Sequence, residues 1–189
     1  MVGIRVEGKI QMSKLILKMS LSLDGFVATT DGRNDWIFPS MSDDAASWTV
    51  DALWQAGAHL MGAETYRAMA AYWPQSREVF AAPMNEIPKV VFSKTLTTAE
   101  WGDTRIVAGD TAAEIDTLKK DLDGDLLAHG GTRFARSLCK LGIVDEFWLL
   151  VHPAVLGDGQ RLFVEPVSIE PIRTTAFTGG AVAHVCRPG

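Results

Sequence analysis

Short apolar runs alternate with segments of helical periodicity along most of the chain. Runs of the first kind predict buried strands at 15–23, 58–61, 89–92, 104–108, 125–129 and 144–152. Apolar residues at the spacing of a helix predict helices that begin near residues 42, 63, 111 and 132. Strands that alternate with helices in this way predict a largely parallel sheet with helices on both faces.

The pattern changes near the C-terminus. Two further strands, 169–177 and 181–186, are predicted on either side of Gly179-Gly180, which is typical of a hairpin. The predicted fold is therefore a three-layer α/β fold, with a mostly parallel central sheet and an antiparallel C-terminal hairpin. We interpret residues 1–12 as an N-terminal tail or an extra edge strand, and residues 13–189 as one domain, a size that can bury a sizeable core.

Small or polar residues follow five of the predicted parallel strands. These segments are 22–24, 62–65, 93–94, 108–111 and 130–132. Ligands of open α/β sheets bind at the carboxyl ends of the parallel strands. Gly130-Gly131 followed by Thr132 is the most informative of them, because a glycine turn lets a ligand approach the backbone where a helix begins. The five segments together predict a nucleotide-like ligand.

Charge and composition narrow the function classes. The net charge of −5 gives no electrostatic reason to expect nucleic acid or an anionic membrane as a partner. No apolar run approaches the ~20 residues of a membrane-spanning helix, and no signal-peptide core is visible at the N-terminus. Cys139 and Cys186 lie far apart in sequence, so we expect a reduced, cytoplasmic protein. The four histidines are dispersed, and no metal site is expected.

Aromatic and acidic residues are the remaining candidates for ligand-binding and catalytic roles. Residues 24–41 form a long loop of the kind that often covers a ligand. Trp36 in this loop can either shield a flat heterocycle or merely fasten the loop. Asp43, Asp44 and Asp51 are candidate partners for a protonated heterocycle, although Asp43 and Asp44 also suit the first turn of a helix. Neither GxxxxGK[ST] nor GxGxxG occurs, which argues against a P-loop or a standard Rossmann site.

Several stretches together resemble the dihydrofolate reductase superfamily, and most of all the C-terminal reductase domain of bacterial riboflavin biosynthesis. The resemblance runs from about residue 14 to residue 186. It rests on Ser20-Leu-Ser-Leu-Asp-Gly25, Met61-Gly-Ala-Glu-Thr-Tyr66 with Tyr72-Trp73, Pro88-Lys-Val-Val-Phe-Ser93, and the stretch from His129-Gly-Gly to Leu162-Phe163. The last stretch is the most specific, because Val-Asp-Glu, His-Pro and Leu-Gly-Asp-Gly follow one another at the family's spacing.

This resemblance implies a homodimeric reductase that transfers a hydride from NADPH to a bound pterin- or aminopyrimidine-type heterocycle. By position, Gly62 and Thr65 would hold cofactor phosphate. Ser93 and Lys94 would lie beside the adenosine ribose. Gly130, Gly131 and Thr132 would cradle the pyrophosphate, and Ser20 and Val27 would border the nicotinamide. Asp24 and Trp36 would lie on the substrate side, in a loop that closes over the nicotinamide.

Two departures from the family leave questions open. Many relatives carry arginine after the glycine at position 62, where Ala63-Glu64 stands here, so NADH remains an alternative to NADPH. The carboxylate that protonates the pterin in dihydrofolate reductases corresponds to Asp43, to Asp44, to Asp51 or to none of them. A non-catalytic nucleotide-binding module on the same fold is therefore the alternative to a reductase.

Overall fold

A computed structural model describes residues 13–189, and the predicted tail 1–12 lies outside the described part. The ten strands are β1 (Leu15–Ser22), β2 (Phe26–Ala28), β3 (Ala56–Gly62), β4 (Lys89–Phe92), β5 (Thr104–Val107), β6 (Asp125–Ala128), β7 (Glu146–His152), β8 (Gln160–Arg161), β9 (Ile169–Ala176) and β10 (Val182–Pro188). The five α-helices are α1 (Asp43–Trp54), α2 (Ala63–Tyr72), α3 (Ala81–Glu86), α4 (Thr111–Asp121) and α5 (Thr132–Leu141).

Eight of the strands form one sheet in the order β5-β4-β3-β6-β1-β7-β10-β9. The pairings from β5 through to β7 are parallel, whereas β10 pairs antiparallel with both β7 and β9. This confirms the predicted mostly parallel sheet with an antiparallel hairpin at its end. Chain order and strand order differ, so β6 inserts between β3 and β1 at the centre.

Alternating side chains give the sheet two buried faces. Leu15, Leu17, Met19 and Leu21 of β1 pack on one face, together with Ile115 and Leu118 of α4 and Ala135 and Leu138 of α5. Ile16 lies on the other face, with Leu53 of α1, Tyr66 of α2 and Met84 of α3. The parallel strands are buried on both sides, which explains why their sequences read as nearly continuous apolar runs. The predicted three layers are therefore present.

Some elements differ from the prediction. The loop predicted at 24–41 contains β2 and a 3₁₀ helix, Asp35–Ser40, and β2 pairs with β8 in a separate small sheet. Helix α3 and a second 3₁₀ helix, Trp73–Gln75, were not predicted. These pieces are too short to show a periodicity of their own, and α3 also contains Pro83.

Within residues 13–189, no helix has the length and apolar character required to span a bilayer.

Candidate functional site

Two helices begin on glycines at the carboxyl edge of the sheet. Gly62 precedes α2 and Gly131 precedes α5, and neither helix start has a side-chain cap. Helix α4 begins nearby in a different way, because the Asp110 side chain accepts a hydrogen bond from the backbone N–H of Ala113. The first N–H groups of a helix have no partner within the helix. Helices α2 and α5 therefore offer free donors and two positive dipole ends, which suits a phosphate group.

A threonine holds these two helix starts together. The Thr65 hydroxyl donates a hydrogen bond of 2.8 Å to the carbonyl oxygen of Gly130. Gly131 has a φ of 95°, and a Cβ atom placed on it would lie 2.3 Å from Thr65 Oγ1. Only glycine combines this left-handed backbone with so close an approach. The glycine pair thus allows α2 and α5 to meet at one point.

A cleft of about 780 Å³ opens in front of the two helix starts. It is lined by Gly62, Ala63, Glu64, Thr65, Arg67, Phe92, Ser93, Lys94, Thr95, Val107, Ala108, Gly109, Thr111, Gly131, Thr132, Arg133, Phe134, Ser137 and Gln160. The rings of Phe92 and Phe134 stack with their centroids 5.1 Å apart. Thr132 donates to the Gln160 side chain over 2.7 Å, which ties α5 to β8. The cleft is large enough for a nucleotide and combines an aromatic wall with free backbone donors.

Charged side chains ring the cleft. Glu64 forms an ion pair with Arg133, so its carboxylate already has a cationic partner. Arg67 and Lys94 also line the cleft, and neither forms an ion pair within residues 13–189. An anion that enters the cleft therefore meets two cations that no other described charge engages.

A second group of polar residues lies on the sheet face beneath α1. We call it the polar seam: Lys18 and Ser20 of β1, His59 of β3, His129 after β6, and His152 of β7. Register places them side by side, because Leu17 pairs with Ala128 and Ser22 pairs with His152. Lys18 forms no hydrogen bond or ion pair within residues 13–189, and its Nζ lies 6.0 Å from the centre of the Trp48 ring.

The side of the seam near residues 36–40 carries further polar groups. His152 Nδ1 lies 2.7 Å from the Ser40 hydroxyl, and its Nε2 lies 3.2 Å from the Ser20 hydroxyl. The Trp36 ring stands edge-on to His152 at 5.6 Å. Trp36 Nε1 and Thr49 Oγ1 are buried and have no partner among the described residues. Buried polar atoms normally have a hydrogen-bond partner, so both atoms are available to donate to a bound group.

Burial lowers the pKa values of the titratable side chains in the polar seam. Desolvation lowers the pKa of Lys18 to about 8. It also lowers the pKa values of His59 and His152 to about 4, and that of His129 well below its usual range, with the positive charge of Lys18 contributing to each. The three histidines are therefore neutral at pH 7, and Lys18 carries the positive charge of the seam.

Comparison with known proteins decides the family. The sequence model of the family described as "RibD C-terminal domain" matches residues 13–181. The chain belongs to the RibD C-terminal domain family. Two uncharacterised proteins of Bacillus subtilis strain 168 resemble it over nearly their full lengths. YyaP is 29% identical over 93% of this chain and 95% of its own, and YwjB is 28% identical over 92% and 98%.

Solved structures share the fold of this RibD C-terminal domain. A protein of Shewanella sp. PV-4 assigned to riboflavin biosynthesis has a TM-score of 0.76 at 20% identity, with 93% of this chain and 99% of that one covered. The diaminohydroxyphosphoribosylaminopyrimidine deaminase/5-amino-6-(5-phosphoribosylamino)uracil reductase of Thermotoga maritima has a TM-score of 0.68 at 16% identity, and this chain covers 57% of it. The riboflavin biosynthesis reductase Rib7 of Saccharomyces cerevisiae has a TM-score of 0.61 at 15% identity, with 94% and 90% covered.

Most of the cofactor residues predicted for this RibD C-terminal domain come together in the cleft. Gly62, Thr65, Ser93, Lys94, Gly131 and Thr132 line it. Gly130 lies at its edge and uses its carbonyl to accept from Thr65. Ser20 belongs to the polar seam, and Val27 lies buried in the core.

The four predicted aspartates lie in different surroundings. Asp24 accepts hydrogen bonds from the Ser22 hydroxyl and from the backbone N–H groups of Leu156 and Gly157, which lower the pKa of its carboxyl to about 2. Asp44 accepts from Ser42 and from the backbone and hydroxyl of Thr178, with the same effect on its pKa. Asp43 and Asp51 are exposed on α1. Asp24 and Asp44 thus have their carboxylates occupied by neighbouring loops.

Sequence reasoning missed the cation of the seam. Lys18 is the only charged residue in the apolar run 15–23, and this was a usable signal, because a charged residue is rarely placed inside a buried strand without a purpose. The contact between His59 and His129 had no comparable signal, because it depends on β6 pairing with β3. The ion pair of Glu64 with Arg133 depends likewise on the two helix starts meeting.

Proposed function

We propose that this protein is a reductase that binds a pyridine dinucleotide, NADPH or NADH, in the cleft and transfers its hydride to a pterin- or aminopyrimidine-type heterocycle held at the polar seam. The observation that carries the proposal is the pair of uncapped helices, α2 and α5, that begin on glycines and face one cleft. Family membership supports a reductase, and the adjoining seam supports a separate place for a polar heterocycle.

The residues of the cleft fit a dinucleotide. A pyrophosphate suits the free N–H groups after Gly62 and Gly131, and an adenosine suits the loops 93–95 and 107–109 that line the same space. Arg67 and Lys94 supply positive charge for a 2′-phosphate, and the carboxylate of Glu64 is paired with Arg133. When bound, such a cofactor supplies a hydride from its nicotinamide ring. We therefore favour NADPH over NADH.

The residues of the seam fit the second half of the reaction. Hydride addition to a C=N bond leaves a nitrogen that needs a proton. Lys18 holds a proton on Nζ at neutral pH and loses it more readily than an ordinary lysine, because burial lowers its pKa to about 8. A general acid works best when its pKa lies near the working pH. Lys18 is thus a better candidate for the proton donor than Asp24 or Asp44, whose carboxylates are occupied.

The remaining residues exclude water and orient the rings. Trp36 and Trp48 border the seam from the loop and from α1. Holding two rings in contact while excluding water is the main task of a hydride-transfer enzyme. No nucleophile is required, which agrees with a site built from backbone donors, aromatic rings and one lysine.

The test is direct. Oxidation of NADPH and of NADH, followed by absorbance, should be stimulated by at least one member of a panel of dihydropterins, aminopyrimidines and their ribose phosphates. Lys18→Met should abolish turnover while NADPH binding, measured by calorimetry, stays within about threefold of the parent. Binding of NADPH without turnover on any panel member would favour the alternative, a nucleotide-binding module. Failure to bind either cofactor would overturn the proposal.

A further inference from the structure

An ion pair spans the junction of the two helix starts that border the cleft. Glu64 is the second residue of α2 and Arg133 is the second residue of α5, and Arg133 Nη2 contacts Glu64 Oε1. The hydrogen bond from Thr65 to the carbonyl of Gly130 holds the same two helix starts together. Both charged side chains line the cleft, so the ion pair lies beside the backbone donors that α2 and α5 present to a ligand.

The two members of this ion pair differ in how well their positions suit their charges. The start of a helix is the positive end of its dipole, which favours a carboxylate and disfavours a cation. Glu64 is therefore stabilised by α2 even without Arg133. Arg133 lies in the first turn of α5, which contains no acidic residue, so it depends on an anion from another element. Within residues 13–189, Glu64 is the only residue that forms an ion pair with Arg133.

The pair is also easy to separate. The side chains of Arg133 and Glu64 are 79% and 73% exposed. Exposed ion pairs contribute little to stability, because water solvates both charges and salt screens their attraction. A phosphate group is a stronger partner for arginine, since it can accept two parallel hydrogen bonds from the guanidinium group. Arg133 can therefore exchange the carboxylate of Glu64 for a phosphate at little cost.

We propose that Glu64 competes with the ligand for Arg133: its carboxylate holds Arg133 until a pyrophosphate group enters the cleft and replaces it. Arg133 then binds the phosphate, and Glu64 stays at the start of α2, where the helix dipole and water stabilise its charge. This inference rests on the proposed dinucleotide site and adds to it a phosphate-binding residue and a residue that tunes its affinity. Arg133 contacts the ligand, whereas Glu64 acts through Arg133 and is a positioning residue.

Simple repulsion is the alternative explanation for any effect of Glu64. In that case Glu64 weakens the binding of an anion by its charge alone, and Arg133 contributes separately. The two explanations differ in additivity. In an exchange the effect of Glu64 requires Arg133, whereas in simple repulsion it does not, so a double-mutant cycle distinguishes them.

The cycle is measured by calorimetry on the full-length chain, with NADP⁺ and separately with inorganic pyrophosphate. We expect Glu64→Gln to tighten binding about threefold to fivefold, because Arg133 no longer has a partner to give up. Arg133→Gln should weaken binding about tenfold, the effect of losing a charge-assisted contact. In the Arg133→Gln background, the gain from Glu64→Gln should fall below about twofold. An equal gain in both backgrounds would contradict the exchange.

Asp116→Asn is the matched control. Asp116 also forms an exposed ion pair, with Lys120 of the same helix, α4, and neither residue lines the cleft. The variant removes one negative charge, as Glu64→Gln does, so it measures the effect of net charge alone. We expect it to bind both ligands as the parent does. A gain as large as that of Glu64→Gln would show that the position of Glu64 has no importance.

The exchange also has a spectroscopic signature at Arg133. Its Nε–H resonance in ¹H–¹⁵N spectra, identified by its loss from Arg133→Gln, should shift when pyrophosphate is added to the parent. Without ligand, the resonance in Glu64→Gln should already differ from that of the parent, and saturating pyrophosphate should bring the two together. A parent resonance that does not move at saturation would show that Arg133 keeps Glu64 as its partner.

The two proposals fail in different ways. If pyrophosphate binds with the expected cycle but neither NADPH nor NADH binds, the dinucleotide proposal is wrong and the exchange at Arg133 is retained. If NADPH binds and is oxidised but the cycle is additive, the reductase proposal stands and the exchange is wrong. If the parent binds neither pyrophosphate nor NADP⁺, the exchange is wrong as well.

Discussion

Thr65 illustrates how one side chain can support a binding site without contacting the ligand itself. Its hydroxyl donates to the carbonyl of Gly130 and is therefore already used. Its backbone N–H, in the first turn of α2, is one of the groups that has no partner within the helix. We expect Thr65 to contribute to phosphate binding through its backbone, while its hydroxyl keeps α2 and α5 together.

The same contact makes Gly131 sensitive to a single methyl group. In Gly131→Ala the new Cβ would lie 2.3 Å from Thr65 Oγ1, so the start of α5 must move. We expect at least a tenfold loss of NADPH affinity by calorimetry, in a protein whose circular dichroism is unchanged. Gly142→Ala is the control: Gly142 also has a positive φ, 66°, at the other end of α5, but nothing lies within 4 Å of its added Cβ. Equal affinities of the two variants would show that the junction of the helices is unimportant for binding.

Cofactor choice is a second property of single residues. Lys94 lines the cleft and has no ion-pair partner in the described chain, whereas Glu64 is paired with Arg133. We expect Lys94→Ala to weaken NADPH about tenfold, since a charge-assisted contact contributes ~1.5–3 kcal/mol, and to leave NADH nearly unchanged. Fluorescence titration measures both. Lys120→Ala, which removes a lysine outside the cleft, is the control. Equal weakening of the two cofactors would assign the 2′-phosphate to another residue, with Arg67 next in line.

At the scale of elements, the central strands combine buried apolar side chains with buried titratable ones. β1, β3 and β7 each place a lysine or a histidine within a strand that is mostly apolar and mostly buried. Burying such groups in their charged forms is costly, so the folded state disfavours the protonated histidines. The polar seam therefore links stability to pH as well as serving the proposed substrate.

The sign of this link follows from the pKa values. His59 and His152 have pKa values of about 4 in the folded protein against an ordinary value of 6.5, so the unfolded chain binds more protons between these limits. Stability is fully present above pH 6.5 and is lost as the pH falls towards 4. Between pH 7 and pH 5 we expect the free energy of unfolding in urea to fall by roughly 1–2 kcal/mol per histidine.

Variants can show which histidine side chains cause this fall in the free energy of unfolding. His59→Gln should reduce the fall between pH 7 and pH 5. Asp24 and Asp44, whose pKa values are about 2, titrate in the folded protein below this interval and do not obscure it. A free energy of unfolding that is constant from pH 7 to pH 5 would show that the histidines titrate normally.

These elements also show how far the sequence alone could go. The starts of α2 and α5 and both bounds of β4 were predicted at the observed residues, because a glycine precedes each helix and a proline and a serine flank the strand. The cleft was predicted too, since the carboxyl ends of parallel strands always share an edge. The polar seam was not predicted, because it depends on β6 lying between β3 and β1, and strand order leaves no local mark in the sequence.

At the scale of the whole molecule, the expected homodimer remains a prediction. Strand β9 forms one edge of the main sheet, and seven of its eight residues, Ile169 and Ile172 among them, are exposed. An open edge of this length usually needs protection or a partner. Sedimentation velocity should give twice the mass of the chain. A single species with the mass of one chain would instead leave Pro171, which lacks an N–H group, and the charges of Glu170 and Arg173 as the protection of this edge.

The uncapped starts of α2 and α5 also affect the stability of the folded protein, independently of catalysis. The first turns of both helices carry backbone N–H donors without a side-chain cap among residues 13–189, so an anion bound there completes the capping of these helices. A ligand present at a hundred times its dissociation constant stabilises the folded state by about 2.7 kcal/mol. We expect NADPH to raise the melting temperature by several degrees, which is the shift that this stabilisation energy corresponds to. Inorganic phosphate should raise the melting temperature by less. Freshly made chains should then survive heat and proteolysis best in cells rich in the cofactor, so that supply of the dinucleotide sets how much of the protein persists.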